Sequence, residues 1–315
     1  MKKTVAALIC CFSIFYGESL FAACDLCAIY RSIEAKSTKP GFHLGVFEQF
    51  THFGTLQQDG RKVDNEFGQK IDSSVTQFLA GYQFNDSFGM QLNIPYIRRS
   101  FTRPADSGID KGTEAGLGDL ALIGSFRLYQ DMTEESVFLW NVYGGVKFPT
   151  GSTDRLREEL AMPGMEMGAV HGHVLALGSG SYDGIVGTSL FGRWERLFVT
   201  ADIQYKIRSR GDFDYRYAND LVWHVKPGGY LWLSPEGTLG LQLAVSGEDK
   251  GKDDLAGVAV EATGISSVFI GPEFSLTWKE NLSAELGAEF PVVNDNSGLQ
   301  LVPDYRVKAA LTWRF

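Results

Sequence analysis

Apolar and polar positions alternate without a break at the end of the chain. Tyr305, Val307, Ala309, Leu311, Trp313 and Phe315 share one parity, and Asp304, Arg306, Lys308, Ala310, Thr312 and Arg314 share the other. A strand points successive side chains to opposite faces, so this segment has one apolar face and one polar, mostly charged face. The pattern repeats upstream. Leu197, Val199, Ala201, Ile203, Tyr205 and Ile207 oppose Thr200, Asp202, Gln204, Lys206 and Arg208; Leu282, Leu286 and Phe290 oppose Ser283, Glu285 and Glu289; Phe138, Trp140, Val142 and Phe148 oppose Asn141 and Lys147. The first such segment fits worst: Glu48 shares its parity with Phe42, Leu44 and Val46, which predicts a bulge there.

Period-2 runs bounded by turn residues mark twelve strands, at 42–53, 74–84, 88–101, 117–129, 137–148, 182–191, 197–208, 220–233, 238–245, 265–278, 282–290 and 303–315. Short turns follow the even-numbered strands. Long loops follow the odd-numbered ones, at 54–73, 102–116, 149–181, 209–219, 246–264 and 291–302. A soluble sandwich has no reason to sort loop length by parity. An up-and-down antiparallel β-barrel in a membrane does: short periplasmic turns, long extracellular loops, and an even strand count that puts both ends in the periplasm. The expected fold is therefore all-β, a transmembrane barrel of about 12 strands. Aromatics near the strand ends (Phe84, Phe88, Tyr129, Trp140, Phe148, Trp194, Trp232, Trp278, Trp313) suit interfacial girdles.

Residues 1–23 read as a signal peptide, with Lys2 and Lys3 ahead of a short apolar run and small residues at Ala22-Ala23. No run reaches the ~18 apolar residues of a membrane helix. Residues 24–40 form a periplasmic N-terminal segment and 41–315 the barrel, which places the protein in the outer membrane of a Gram-negative bacterium. Outer-membrane lipid, lipopolysaccharide and the barrel-assembly machinery are the partners that follow. The net charge of −9 comes with Lys and Arg scattered through the strands and no basic patch with interleaved aromatics, so nucleic acid is not a partner. Cys24 and Cys27 open the mature chain. A local disulfide, lipidation of Cys24, and metal or redox work are all open; Ala28 stands where a haem-attachment motif needs histidine.

The polar faces give candidate lumen-lining residues: Asp202, Lys206, Arg208, His224, Lys226, Glu273, Glu285, Glu289, Arg306, Lys308 and Arg314. Glu285 and Glu289 sit on the strand that pairs with the one carrying Arg306 and Lys308, so they form either a cross-strand ladder that fills the barrel or the walls of a polar path. The longest loop holds Met162, Met165, Met167, His171 and His173. Thioether and imidazole suit copper, so Met165, Met167, His171 and His173 are candidate ligands, against the reading that methionine fills an irregular loop core. The run Glu248, Asp249, Lys250, Lys252, Asp253 and Asp254 reads as a solvated loop tip. A barrel enzyme would need a histidine beside a serine or carboxylate at the rim. His171 and His173 lie near Ser179, Ser181 and Asp183 in sequence, but no hydrolase motif is present.

Three segments carry a resemblance: Gly116-Leu117-Gly118-Asp119-Leu120 leading to Phe126-Arg127-Leu128; Gly145-Val146-Lys147-Phe148-Pro149-Thr150-Gly151; and Leu177-Gly178-Ser179-Gly180-Ser181-Tyr182-Asp183. In order and spacing they resemble the bacterial outer-membrane barrels labelled putative MetA-pathway of phenol degradation, or outer-membrane transporters. The resemblance covers the middle third of the chain and implies transport of small, aromatic compounds; it supplies no catalytic residues. The expected function is a non-enzymatic outer-membrane channel for passive movement of a small polar or aromatic solute, without a cofactor, copper excepted if the loop cluster binds it. A closed-lumen binding or structural barrel, metal-linked or not, is the second reading, and a barrel enzyme acting on lipid the third.

Overall fold

The computed structural model describes residues 40–105, 108–161, 168–279 and 281–315. Twelve antiparallel strands run up and down in chain order: β1 (Gly41–Gln58), β2 (Lys70–Gln83), β3 (Phe88–Ala105), β4 (Ala121–Met132), β5 (Ser136–Lys147), β6 (Asp183–Trp194), β7 (Leu197–Ile207), β8 (Asp220–Ser234), β9 (Gly237–Lys250), β10 (Ile265–Trp278), β11 (Leu282–Asn296) and β12 (Leu299–Arg314). Each pairs with its sequence neighbour, and β12 pairs with β1 from His43↔Arg314 to Gln58↔Leu299. The sheet is thus a closed barrel, and closure removes its edges.

The facing pattern is that of a barrel with a polar interior. In β7, Leu197, Val199, Ile203, Tyr205 and Ile207 are exposed, while Thr200, Gln204 and Lys206 are buried. Only the barrel interior can bury a lysine between the exposed side chains of Tyr205 and Ile207. The outer surface is an apolar band, and the short-turn end carries aromatic pairs, with Trp232 and Trp278 stacked at 5.9 Å and Phe84 and Phe88 at 5.4 Å. No helix among the described residues is long and apolar enough to cross a membrane.

Three expectations are corrected, two at the long-loop end and one within β1. Residues 102–105 and 108–116 are strand, not loop. β3 runs on to Ala105, and a hairpin arm, Gly108–Leu117, returns along its upper half from Ala105↔Gly108 to Tyr96↔Leu117. The chain then steps through 118–120 into β4, which pairs with the lower half of β3. The outward parity of the arm holds Ile109, Lys111, Thr113, Ala115 and Leu117, so its alternation is broken by polar residues and reads as loop. Likewise β9 extends to Lys250. Glu248 and Asp253 of the expected loop tip are buried, Glu248 bonded to Arg306 at 2.7 Å and Asp253 to Lys250 at 2.7 Å. Finally, β1 has no bulge at Glu48. Its register with β2 is continuous from Gly41 to Phe53, and the shift against β12 comes only past His52. Glu48 faces outward, where its carboxylate accepts bonds from Ser74 Oγ at 2.5 Å and from Thr76 Oγ1. The break in parity is real and is satisfied by two neighbouring hydroxyls.

The loop between β5 and β6 folds into the barrel mouth. It carries short helical turns at Asp154–Arg157, Glu158–Ala161 and Gly172–Leu175. Its Ala169, Val170 and Leu175 pack on Phe53, Leu56, Ile71, Phe101 and Leu301 of the wall. Those wall residues are the inward parity of β1, β2, β3 and β12, so the loop occupies the interior rather than capping it from outside.

Candidate functional site

Four strands stop at one level, and their ends carry charge. Lys147 ends β5, Asp183 starts β6, Arg208 follows β7 and Asp220 starts β8; the register sets Lys147 opposite Asp183 and Lys206 opposite Asp220. Inward parity and this register bring six buried charges into one alternating chain, Asp119–Lys147–Asp183–Arg208–Asp220–Lys206. The successive N–O distances are 2.5, 3.0, 2.9, 2.8 and 3.4 Å. Three acids and three bases leave it neutral. Buried ions are tolerable only with such full pairing, because an unpaired one costs several kcal/mol.

Asp119 is where the long loop is fastened. Its Oδ1 accepts the backbone N–H groups of Thr150 at 3.1 Å and Gly151 at 2.9 Å. Its Oδ2 accepts Ser179 N–H at 2.9 Å, Ser179 Oγ at 2.9 Å and Lys147 Nζ at 2.5 Å. Lys147 Nζ also donates to Ser179 Oγ and, at 3.0 Å, to the carbonyl of Ser181. The two ends of the loop run in contact here. A Cβ on Gly178 would lie 2.4 Å from the Gly151 carbonyl oxygen, so neither strand of this crossing tolerates a side chain. The three motif segments recognised in the sequence, far apart along the chain, therefore converge on one carboxylate.

A second set of ion pairs lies across the lumen. Lys226 meets Glu273 at 2.7 Å, and Lys308 meets both oxygens of Glu289 at 2.8 and 2.7 Å. Of the expected ladder on β11 and β12, Lys308–Glu289 forms a close pair. Arg306 turns to Glu248 and stacks on Phe269 with its guanidinium carbon 3.8 Å from the ring centre, and Glu285 lies 3.8 Å from Lys226. Asp202 accepts the Tyr143 hydroxyl at 3.0 Å, His224 is buried, and Arg314 is half-buried near the short-turn end.

At the mouth, His171 and His173 stack at 5.5 Å, and His173 stacks on Tyr215 at 6.0 Å. His173 Nδ1 lies 3.0 Å from Glu159 Oε1, its backbone N–H donates to the same oxygen at 2.7 Å, and its carbonyl accepts the Tyr217 hydroxyl at 2.8 Å. Burial raises the Glu159 carboxyl, but the charge of His173 and its hydrogen bonds outweigh this and bring it down to about 2. Burial lowers His173, but the charge and hydrogen bond of Glu159, with the charge of Asp253, lift it above its ordinary 6.5. The clamp is therefore complete at pH values between the ordinary carboxylate range and the ordinary imidazole range. It is lost at the acid end as Glu159 protonates toward pH about 2, and at the alkaline end as pH rises through the elevated value of His173. Limited proteolysis of the loop should accordingly accelerate in the parent as pH rises through the elevated value of His173. In a His173→Gln variant it should start fast and show no such rise.

Ser179, Ser181 and Asp183 are bonded within the Asp119–Lys147 network, and His173 to Glu159, so the hydroxyls and imidazoles do not converge. Among the described residues no three His, Cys, Asp or Glu side chains are grouped to hold a metal ion. Met165 and Met167 of the candidate copper cluster, and Cys24 and Cys27 of the candidate disulfide, lie outside the described residues.

No family model matches the chain, and no curated protein matches it. Among solved structures it is similar to the COG4313 outer membrane channel from Pseudomonas putida F1, at 17% identity over 90% of this chain and 99% of that one, with a TM-score of 0.64. It also matches the beta domain of the Bordetella autotransporter BrkA, at 11% identity, 88% and 99% coverage and a TM-score of 0.44. The translocator domain of the autotransporter NalP from Neisseria meningitidis matches at 11% identity, 89% and 90% coverage and a TM-score of 0.42. The first of these likenesses shows a shared closed-barrel fold.

Proposed function

We propose that this chain is an outer-membrane channel of a Gram-negative bacterium, with its long loops outward, that passes a small and partly apolar solute passively through a gated mouth. The observation that carries the reading is the mouth itself. Between the wall and the inserted loop lies a cavity bounded by Phe53, Ile71, Ala169, His171, Val174, Ala262, Gln300 and Leu301. An apolar lining with one imidazole and one amide suits a compact aromatic body with a polar group. The space left for the centres of water molecules is about 20 Å³, room for about one, so an aromatic ring enters only when the loop moves.

Two further points support transport. The three segments that resemble the MetA-pathway barrels are those that fasten this loop to Asp119, and the resemblance implies transport. The Pseudomonas putida protein of similar fold is described as a channel. Lipopolysaccharide and outer-membrane lipid surround the apolar band in this reading, and the barrel-assembly machinery inserts it.

Single-channel recording with 4-hydroxybenzoate added on one side tests the proposal. Dose-dependent interruption of the current from the long-loop side only, lost in a Phe53→Asp variant, is expected. Current indifferent to the solute on either side would overturn it.

A further inference from the structure

Three polar side chains stand in one row on the inner wall. The register places Thr51 of β1 opposite Ser73 of β2, and Ser73 opposite Arg99 of β3. All three share the inward parity and are buried, Arg99 completely. Arg99 Nη1 donates to the Ala176 carbonyl of the inserted loop at 2.8 Å. Its Nε and Nη2, together with Thr51 Oγ1 and Ser73 Oγ, have no hydrogen-bond partner among the described residues. Glu114, opposite Arg99 on the hairpin arm, is engaged by Arg155 Nε at 2.9 Å and Nη2 at 2.5 Å.

Most other buried cations of the interior face a carboxylate, Arg127 with its bonds to Asn141 and Gln130 apart. Lys147, Lys206, Arg208, Lys226, Lys250 and Lys308 each have a carboxylate within 3.4 Å. A buried cation with a single neutral partner is a strained arrangement unless an anion completes it. The guanidinium offers two adjacent N–H groups in a fixed fork that matches a carboxylate, and two hydroxyls beside it can donate to the same oxygens. Two residues nearer the mouth on the same strands and the same face are Phe53, Ile71 and Phe101, all buried. Phe53 and Ile71 line the mouth cavity, so the polar row lies one inward step below an apolar chamber.

We infer that Arg99, Thr51 and Ser73 form a binding site for the carboxylate of a small organic acid whose apolar or aromatic body occupies the chamber of Phe53, Ile71 and Phe101. The inference names the solute class of the proposed channel and rests on that reading for its biological sense. The site itself is tested by binding, so current block and binding fail separately.

The carboxylate has two conceivable sources, a free solute or an acid of this chain outside the described residues, Asp25, Glu34, Asp106, Glu166 or Glu280. Calorimetric titration of the purified full-length barrel at pH 7 separates them, with benzoate and benzyl alcohol as probes of equal body and different head. Saturable benzoate binding, at least tenfold tighter than benzyl alcohol and at least tenfold weaker in Arg99→Gln, is expected, with Arg99→Lys between. Removing a buried unpaired charge should leave the unliganded Arg99→Gln barrel melting no lower than the parent, which separates loss of the site from loss of the fold. Absence of benzoate binding, equal binding of the two probes, or undiminished binding in Arg99→Gln would overturn the site. Binding that emerges only when Asp25, Glu34, Asp106, Glu166 and Glu280 are replaced by their amides would overturn the solute reading and give the position to the chain's own acid.

Discussion

Replacing Asp119 by alanine releases the loop between β5 and β6 and raises the single-channel current several-fold over the parent. The substitution removes the acceptor of two loop N–H groups, of the Ser179 backbone and hydroxyl, and of the Lys147 ammonium at once. Lys147 keeps Asp183 at 3.0 Å, so the alternating chain is broken at its end and not in its middle. Breaking a buried pair by removing one partner costs about 3–5 kcal/mol. Most of that cost falls on the loop, because the strands remain paired by their ladders. Urea unfolding followed by loop proteolysis, beside planar-bilayer recording, checks both parts. Asp119→Asn retains an oxygen for Thr150 and Gly151 but loses the charge facing Lys147, and should fall between. Unchanged current and unchanged proteolysis in Asp119→Ala would show that the loop is held by its apolar contacts alone.

Removing the ammonium of Lys308 has the largest expected effect on the barrel wall. Lys308→Met removes the ammonium bonded to both oxygens of buried Glu289 and leaves it the Ser246 hydroxyl at 2.8 Å and the charge of Arg306 on the facing strand. A loss of about 3–5 kcal/mol in unfolding from lipid vesicles is expected. The double variant Lys308→Met, Glu289→Met should regain most of it, since two apolar side chains need no partner. A single variant as stable as the parent would mean that water enters the lumen freely at this level and solvates Glu289. The interior would then be an open polar path and not a filled one.

The fold was largely legible because the barrel's two faces differ so sharply. Tyr205 and Lys206, or Val307 and Lys308, are adjacent in sequence and opposite in environment, and that contrast is what period-2 reading detects. It failed where the contrast fades. The arm Gly108–Leu117 has a mixed outer face, and Glu48 reverses the rule on β1 while its hydrogen bonds come from Ser74 and Thr76, 26 and 28 positions away. The same limit hid Arg99: both parities of β3 hold apolar residues, Ile97 and Phe101 inward and Ile94 and Tyr96 outward, so neither face declares itself. The charged lumen residues were read from parity, yet their pairing was not, because Arg306 chooses Glu248 on a strand three places away. Asp119 was visible only as part of a glycine-rich motif. Its role depends on Thr150, Gly151 and Ser179 arriving from 31 to 60 positions away, which no local pattern encodes.

The gating loop is tested most directly by locking it. A Cβ on Gly116 of the hairpin arm lies 2.9 Å from Leu177 Cδ1, so a Gly116→Cys, Leu177→Cys pair in a background with Cys24 and Cys27 replaced by serine can join loop to wall. Single-channel current through the oxidised protein should fall to the baseline of the closed state and return to the parental level when dithiothreitol is added. Equal current before and after reduction, with the disulfide verified by mass, would contradict a loop that gates the barrel.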